Sequence, residues 1–416
     1  MVKTFHGGIN KQKKLFLSSP YEGSAEVKSG GIFTYDVSED RCVCVSVGDK
    51  VCVGDVLARA EAEMPLLSGV SGSVSKAEDN EIVITADGEQ TSLHALSAFD
   101  NSLSEISAKE ITERLSCCAV ASKYAPDGVA FVCERACELS PEKRIRLIVD
   151  CSSPSLLSSI NRFLIKKHPA EISGGIRILM KACNASEARL VCDNSSVDTI
   201  RILESLCDGK YVKLSVAQAK YPMQNQSLLV YLAMDKEISR GKNAVEYGFV
   251  TVDCESALNA YRATVLGERT VTKHVTVQRS DGIECVNAPL GAPLSELMRN
   301  DTGALFFATE EFPTEVRPIS DAENVCVDCK TETILPIRKN KDSYSSACIG
   351  CGKCDAACPM YLPVSRMVPP FVGDIKKLFK KYSFDACIGC GCCSAVCPSG
   401  IEIRSCIEGG KSDDEN

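Results

Sequence analysis

The chain has 416 residues, of which 25 are cysteine and none is tryptophan, and its 47 basic and 55 acidic residues give a formal charge of −8. A balance of 44% hydrophobic and 25% charged residues excludes disorder as the main state, and the length allows roughly two to four domains. The acidic balance disfavours nucleic acid as a general partner, and apolar runs such as Leu228–Met234 fall far short of the ~20 residues that cross a bilayer.

The first residues, MVKTFHGGINKQKK, contain no apolar run of signal-peptide length, so the many thiols are expected to be reduced and available to metal rather than paired as disulfides. Lys11, Lys13 and Lys14, like Lys376, Lys377, Lys380 and Lys381 further on, read as solvated faces. From Cys42 to Ser75, short β-branched runs alternate with V-G-D-x-V-x-x-G-D and S-G-V-S-G, a repeated strand-and-turn pattern. Gly48, Gly54, Gly69 and Gly72 suit tight turns with φ > 0, as in the small β-sandwich of biotinyl and lipoyl carriers. Such carriers hold a modified lysine at the hairpin tip. Here the tip, AEMPLLSGVS, has none, so the module is expected to be structural.

From about Ile106 the pattern changes. AKEITERLSCCAV reads as helix, RIRLIVDC as a buried parallel strand, SLLSSINRFLIKK as helix, EARLVCDN as strand and VDTIRILESL as helix, which predicts a Rossmann-like α/β layer. YGFVTVDCESALNAYRATVLGERTVTKHVTVQ then turns to strands around a helix. The adjacent Cys117 and Cys118 cannot readily share a metal. Cys42, Cys44, Cys52, Cys151, Cys183, Cys192 and Cys207 read as small core hydrophobes. The four histidines, His6, His94, His168 and His274, show no metal spacing, and no acid–base constellation is visible. His274 lies in TVTKHVTV, where packing or a hydrogen bond is expected. Cys326 and Cys329 form a lone C-x2-C, read as a buried or redox-inert pair ahead of a third metal or a dithiol switch.

The chemistry concentrates near the C-terminus. CIGCGKCDAACP (Cys348–Pro359) and CIGCGCCSAVCP (Cys387–Pro398) are both C-x2-C-x2-C-x3-C-P. Three thiolates on one glycine-bearing loop wrap three corners of an iron–sulfur cube, and the fourth cysteine reaches the other cube. One cluster is thus expected on Cys348, Cys351, Cys354 and Cys397, and the second on Cys387, Cys390, Cys393 and Cys358. Gly350, Gly352, Gly389 and Gly391 let backbone amides approach the sulfides. Zinc knuckles are the competing reading, but they pair C-x2-C halves across a long spacer. Cys392 and Cys406 read as bystanders, and the tail GGKSDDEN as disordered.

Together, the Thr4–Ile9 start (T-F-x-G-G-I), VGDKVCVGDVLARA, KYPMQNQSLLVYLAMDKEIS, RTVTKHVTV and the doubled cysteine motif resemble the RnfC family over nearly the whole chain. That family comprises the peripheral iron–sulfur subunits of ion-translocating NADH:ferredoxin oxidoreductases. The resemblance implies a multidomain α/β plus β fold: a biotinyl/lipoyl-like β-sandwich at 1–100, a Rossmann-like flavin/NADH-type domain at 101–245, a β-grasp-like (SLBB-type) domain at 246–315 and an α-helical dicluster ferredoxin domain at 335–410. It also implies a glycine-rich flavin and pyrophosphate loop, whose backbone amides meet phosphate oxygens. The sequence departs there. Cys117–Ala136 carries one glycine, Gly128, and DCSSPSLLSS, CDNSS (Cys192–Ser196) and DCESA (Asp253–Ala257) replace three further elements. These four departures argue against flavin-dependent NADH oxidation, while a turn of Asp127 and Gly128 against the strand end would leave FMN a weakened site.

The resulting expectation is electron transfer through two [4Fe–4S] clusters, by an RnfC-like subunit or a stand-alone relative serving redox protein partners. The chain is expected in the cytoplasm, with any attachment to the membrane face made by partner subunits. The alternatives are an FMN-dependent NADH dehydrogenase subunit and a non-redox scaffold.

Overall fold

The computed structural model describes residues 2–10, 21–25, 27–60, 63–78, 80–93, 95–97, 99, 103–139, 144–153, 160–239, 242–279, 282–298, 306–308, 317–337, 346–368 and 375–414. His94 and the lysines at 11, 13 and 14 lie outside them, as does the side chain of Lys376.

Four parallel strands form the middle sheet, in the spatial order Val212–Ala217, Glu187–Asp193, Arg146–Asp150, Phe249–Asp253. Alternation in Arg146–Asp150 sends Leu147 and Val149 to one core and Ile148 to another, so helices cover both faces, as a parallel sheet requires. Helices Ala108–Cys117, Pro169–Ala182 and Cys254–Tyr261 pack on the first face, and Gln226–Met234, joined by Phe5, on the second. Ser107 starts the first helix with a capping box to Glu110. Two features differ from the sequence reading. Pro169–Ala182 is a helix of its own directly after Ile160–Lys167. Phe249–Asp253, in register with Arg146–Asp150, completes the middle sheet from beyond the expected division at residue 245.

Ahead of this sheet, residues 32–86 form a four-stranded and a three-stranded antiparallel sheet. Gly48 and Gly54 take φ of +94° and +93°, as turns there demand. Gly69 and Gly72 do not. They are small because a Cβ would stand 2.4 Å from the Leu290 carbonyl oxygen and 2.2 Å from that of Thr85. Cys42 and Cys44 are exposed rather than core residues, whereas Cys151, Cys183 and Cys192 are buried as expected.

The six-stranded sheet pairs Thr272–Gln278 with Ile283–Pro289 and Thr333–Ile337, and takes Tyr21–Ser24 from the start of the chain. Phe33, Leu57, Ile82 and Ile84 share one core with Val275, Val286 and Ile334 of that sheet. The C-terminal module is small and helical, with Leu362, Phe379, Phe384, Ile403 and Ile407 packed around buried cysteines. Its last helix, Ile403–Asp414, runs through most of the segment expected to be disordered. Among the described residues no helix is long and apolar enough to cross a membrane.

Candidate functional site

The two cysteine loops fold alike. Gly350, Gly352, Gly389 and Gly391 all sit in the left-handed region, at φ of +68°, +71°, +64° and +71°. Side chains rarely enter that region, and the turns point amide hydrogens inward. Gly352 and Gly391 each start a short helix, Lys353–Ala357 and Cys392–Ala395. The Gly350 N–H donates to Cys348 Sγ at 3.4 Å, and the Leu362 N–H to Cys358 Sγ at 3.4 Å.

Cys348, Cys351, Cys354 and Cys397 line one cavity of about 310 Å³, together with Gly350 and Gly352. Cys358 instead lies beside Cys387 and Cys390, and Cys393 beside those two and Cys358. The eight cysteines thus lie in two spatial groups, Cys348, Cys351, Cys354 and Cys397 in one and Cys358, Cys387, Cys390 and Cys393 in the other. Burial pushes the Cys354 thiol up to about 11 and the Cys393 thiol up to about 12. Such thiols become ligands only where a strong local cation compensates, as iron would. Among the described residues no three His, Cys, Asp or Glu side chains converge tightly enough for a single ion. Four thiols around one cavity of about 310 Å³ are the donor set of a four-iron cube, whose thiolates stand further apart than those on one ion. Cys392, read as a bystander, is buried and hydrogen-bonds Cys390, whose thiol is drawn down to about 7.

Cys326 and Cys329 are both half-buried, and burial raises both thiols, that of Cys329 to about 11, with Thr34 hydrogen-bonding Cys326.

The second candidate is the crevice at the carboxyl ends of the middle strands, where α/β sheets of this order bind ligands. Asp150, Asp193 and Asp253 end three adjacent strands and are buried. Ser122 Oγ donates to Asp253 Oδ2 at 2.8 Å. The Lys123 ammonium lies 3.2 Å from Asp150 and 2.9 Å from Glu332. Burial opposes its charge, but Glu332, Asp150 and Asp253 outweigh burial and hold its pKa above the ordinary lysine value. The Tyr124 hydroxyl stands 2.8 Å from both Asp150 Oδ2 and the Gln224 carbonyl oxygen, and can donate its one proton to either. The carboxylates are further engaged by Ser152, Ser153 and Ser256 N–H groups. Gln224 Oε1 is buried with no hydrogen-bond partner among the described residues.

The turn of Asp127 and Gly128, which against the strand end would leave FMN a weakened site, packs on Met64. Gly128 takes φ +123°, but a Cβ there would meet Met64 at 3.3 Å, and the Asp127 carbonyl accepts from the Met64 N–H at 3.1 Å. The lysine-free hairpin tip thus occupies Asp127 and Gly128, and Ser122–Tyr124 face the strand ends. As for fit, the buried Lys123 and the partnerless Gln224 oxygen could serve a hydrogen-bonding ligand, while three carboxylates around one ammonium suit additional phosphates poorly.

Crevice and clusters meet through the cis-proline turn at Tyr221–Pro222. The Tyr221 hydroxyl donates to the Cys390 carbonyl oxygen at 2.9 Å, and Ile388 packs on the core that holds Tyr124 and Tyr231. The Thr4–Asn10 segment closes the same joint. Ile9 and Asn10 pair with Tyr221 and Lys220, the Lys220 ammonium donates to the Phe5 carbonyl oxygen at 2.6 Å, and the Gly8 N–H donates to the Ala357 carbonyl oxygen at 2.9 Å. Motif reading found the cysteines but none of this joint, which rests on contacts between distant segments.

Residues 127–262 match the family model of the Nuo51 FMN-binding domain, and residues 344–401 that of the 4Fe-4S dicluster domain. Among solved structures, an NAD+-reducing [NiFe]-hydrogenase in its H2-reduced state is similar at 12% identity and TM-score 0.46, over 58% of this chain and 48% of that one. The air-oxidised state gives 13% and 0.47, over 56% and 47%. The chain therefore spans about half the length of these hydrogenase chains. The domain matches give this protein an FMN-binding-type domain and an iron–sulfur module on one chain, the parts of an electron-transfer protein.

Proposed function

We propose that this chain, which joins an FMN-binding-type domain to a 4Fe-4S dicluster domain, carries single electrons through two [4Fe–4S] clusters as an RnfC-like component of an electron-transfer assembly, without oxidising NADH itself. Cys348, Cys351, Cys354 and Cys397 would hold one cluster, and Cys358, Cys387, Cys390 and Cys393 the other. The observation that carries the reading is the joint at Tyr221 and Ile388, which seats one cysteine loop against the strand-end crevice.

FMN is the group this type of domain holds, and it would supply exchange between one- and two-electron steps. Lys123 and Gln224 are the groups available to orient it. Among the described residues, Gly128 is turned to Met64, and Asp150, Asp253 and Glu332 already surround Lys123, which disfavours the pyrophosphate of NADH beside it. Cysteine thiolates would hold the iron, and amides such as Gly350 N–H would tune the clusters by hydrogen bonds to sulfur.

The test is anaerobic reconstitution with iron and sulfide, followed by titration with FMN, NADH and dithionite. Dithionite is expected to give two magnetically interacting [4Fe–4S] signals, and NADH to leave the cluster absorbance unbleached with or without FMN. Bleaching by NADH would replace this reading with that of an NADH dehydrogenase subunit. Clusters that stay redox-silent would replace it with a scaffold.

A further inference from the structure

The two halves of the cysteine module repeat one another, C-I-G-C against C-I-G-C, and so present two equivalent faces. In the second half, Ile388 is packed on the middle domain and the Cys390 carbonyl is bonded by Tyr221. In the first half, the corresponding Ile349 is 70% exposed, Cys351 is exposed, and the cavity lined by Cys348, Cys351, Cys354 and Cys397 opens beside them. Arg366 lines the same cavity and is exposed, and exposed Lys353 follows Gly352 of its wall. Helix Ile375–Tyr382, which packs on Val364–Met367 and on Ile403–Asp414, adds the exposed Lys377, Lys380 and Lys381. Asp355, at the same cavity, is turned inward and accepts from the Ser365 N–H and Oγ, both at 2.7 Å. An apolar knob with Arg366 and Lys353 beside it, and one exposed carboxylate, Glu402, between the lining Ile401 and Ile403, thus stands over one cysteine cavity, while the lysine-bearing helix adds positive charge to the same module.

We infer that this face, centred on Ile349, is where a small one-electron carrier protein with an acidic surface docks, in the way that Ile388 docks on the middle domain. The inference rests on the two-cluster reading above. In the exchange, one electron leaves the reduced cluster on the Cys348 side and the carrier gains it. No bond is made or broken and no proton moves. Charge complementarity favours the acidic carrier, because opposite surface charge raises encounter rates by about 10- to 1,000-fold at low salt.

The test uses the full-length reconstituted protein, reduced with dithionite and freed of excess, mixed in stopped flow with an acidic [2Fe–2S] ferredoxin. A cationic c-type cytochrome serves as the opposite-charge acceptor. The rate to the ferredoxin should fall steeply with salt and exceed that to the cytochrome at low salt. Ile349→Glu and Arg366→Glu should each slow the ferredoxin reaction about tenfold or more, with both cluster EPR signals intact. Lys210→Glu, an exposed change on the middle domain, should not. Unchanged rates in both variants with intact signals would overturn the docking surface and leave the two-cluster reading standing. Absence of cluster signals in the unaltered protein would overturn both. A concentration-dependent dimer abolished by Ile349→Glu would assign the face to a second copy and overturn the carrier.

Discussion

Ile349 and Ile388 hold the same position in two copies of one motif, yet Ile388 is packed against the middle domain while Ile349 is 70% exposed. Sequence symmetry is thereby broken by the fold, and the two ends of the module become chemically distinct. One cysteine loop packs on the middle domain, and the other leaves its isoleucine exposed.

The crossed ligand partition makes a direct prediction. Cys397→Ser should remove the cluster whose other ligands are Cys348, Cys351 and Cys354, and Cys358→Ser should remove its neighbour. Each variant should lose about half its iron, and EPR of the reduced protein should show one signal without magnetic interaction. Cys406→Ser, on the last helix, should retain both. If Cys358→Ser instead removed the cluster of its own half, the crossing would be wrong.

Tyr221 offers a milder perturbation. Tyr221→Phe deletes the hydroxyl bonded to the Cys390 carbonyl, a net loss of about 1 kcal/mol. Iron content should be unchanged, while amide hydrogen exchange across residues 387–393 should quicken. Exchange as slow as in the unaltered protein would show that this bond does not hold the joint.

Two glycines separate conformational cost from collision. Gly350 has φ +68° and no protein atom within 4 Å of where a methyl group would stand, so Gly350→Ala should cost the apoprotein only about 1–2 kcal/mol of backbone strain. Gly7 has φ +59°, and its Cβ would stand 2.7 Å from the backbone of Ala357 and Cys358. Gly7→Ala should therefore displace the segment from the cysteine module, giving the larger fall in Tm and earlier proteolysis near residue 7. Equal Tm changes would contradict this contrast.

A buried ionic group joins helix Cys254–Tyr261 to the six-stranded sheet. Glu255 accepts from the Lys273 ammonium, and its Oε1 accepts from the His274 N–H at 2.8 Å and lies 2.7 Å from His274 Nδ1. Burial alone would raise this carboxyl, but Lys273 and His274 prevail and hold it down at about 2, against an ordinary 4.5. A lowered carboxyl contributes its stability above the unfolded value and loses it as pH falls through the folded one. Urea midpoints should accordingly decline between pH 4.5 and 2, by at most about 3 kcal/mol from this group. Glu255→Gln should flatten that decline and cost about 3–5 kcal/mol at neutral pH, since Lys273 is left charged and buried. An unaltered acid profile in the variant would remove Glu255 from the account.

Some of this was legible in the chain itself. Cluster ligation demands fixed cysteine spacing, so the doubled motif points directly to the proposed ligands, and strands such as Arg146–Asp150 and Glu187–Asp193 are readable as short apolar runs. Helix Pro169–Ala182 could have been found from Pro169 followed by Ile172, Ile176 and Leu179 at helical spacing. Lys123 could not, because its partners Asp150 and Glu332 are distant in sequence and only the sheet order unites them. The same holds for His274, where the strand pattern indicated packing or a hydrogen bond but not that Glu255 would be shared with a buried lysine. Gly128 was ambiguous in the sequence because one glycine near a strand end fits either a ligand contact or the approach of a side chain, and here Met64 approaches it.

The segment at Lys3–Asn10 has a consequence for the order of assembly. It pairs with residues near 216–221 and then with Ala357, so it can settle only after those parts exist. Contacts so widely separated form late and slowly. During synthesis this stretch must wait, extended and apolar at Phe5, while the sheets fold behind it. Its final docking would then act as a latch, closing only when the cysteine module has taken its own shape.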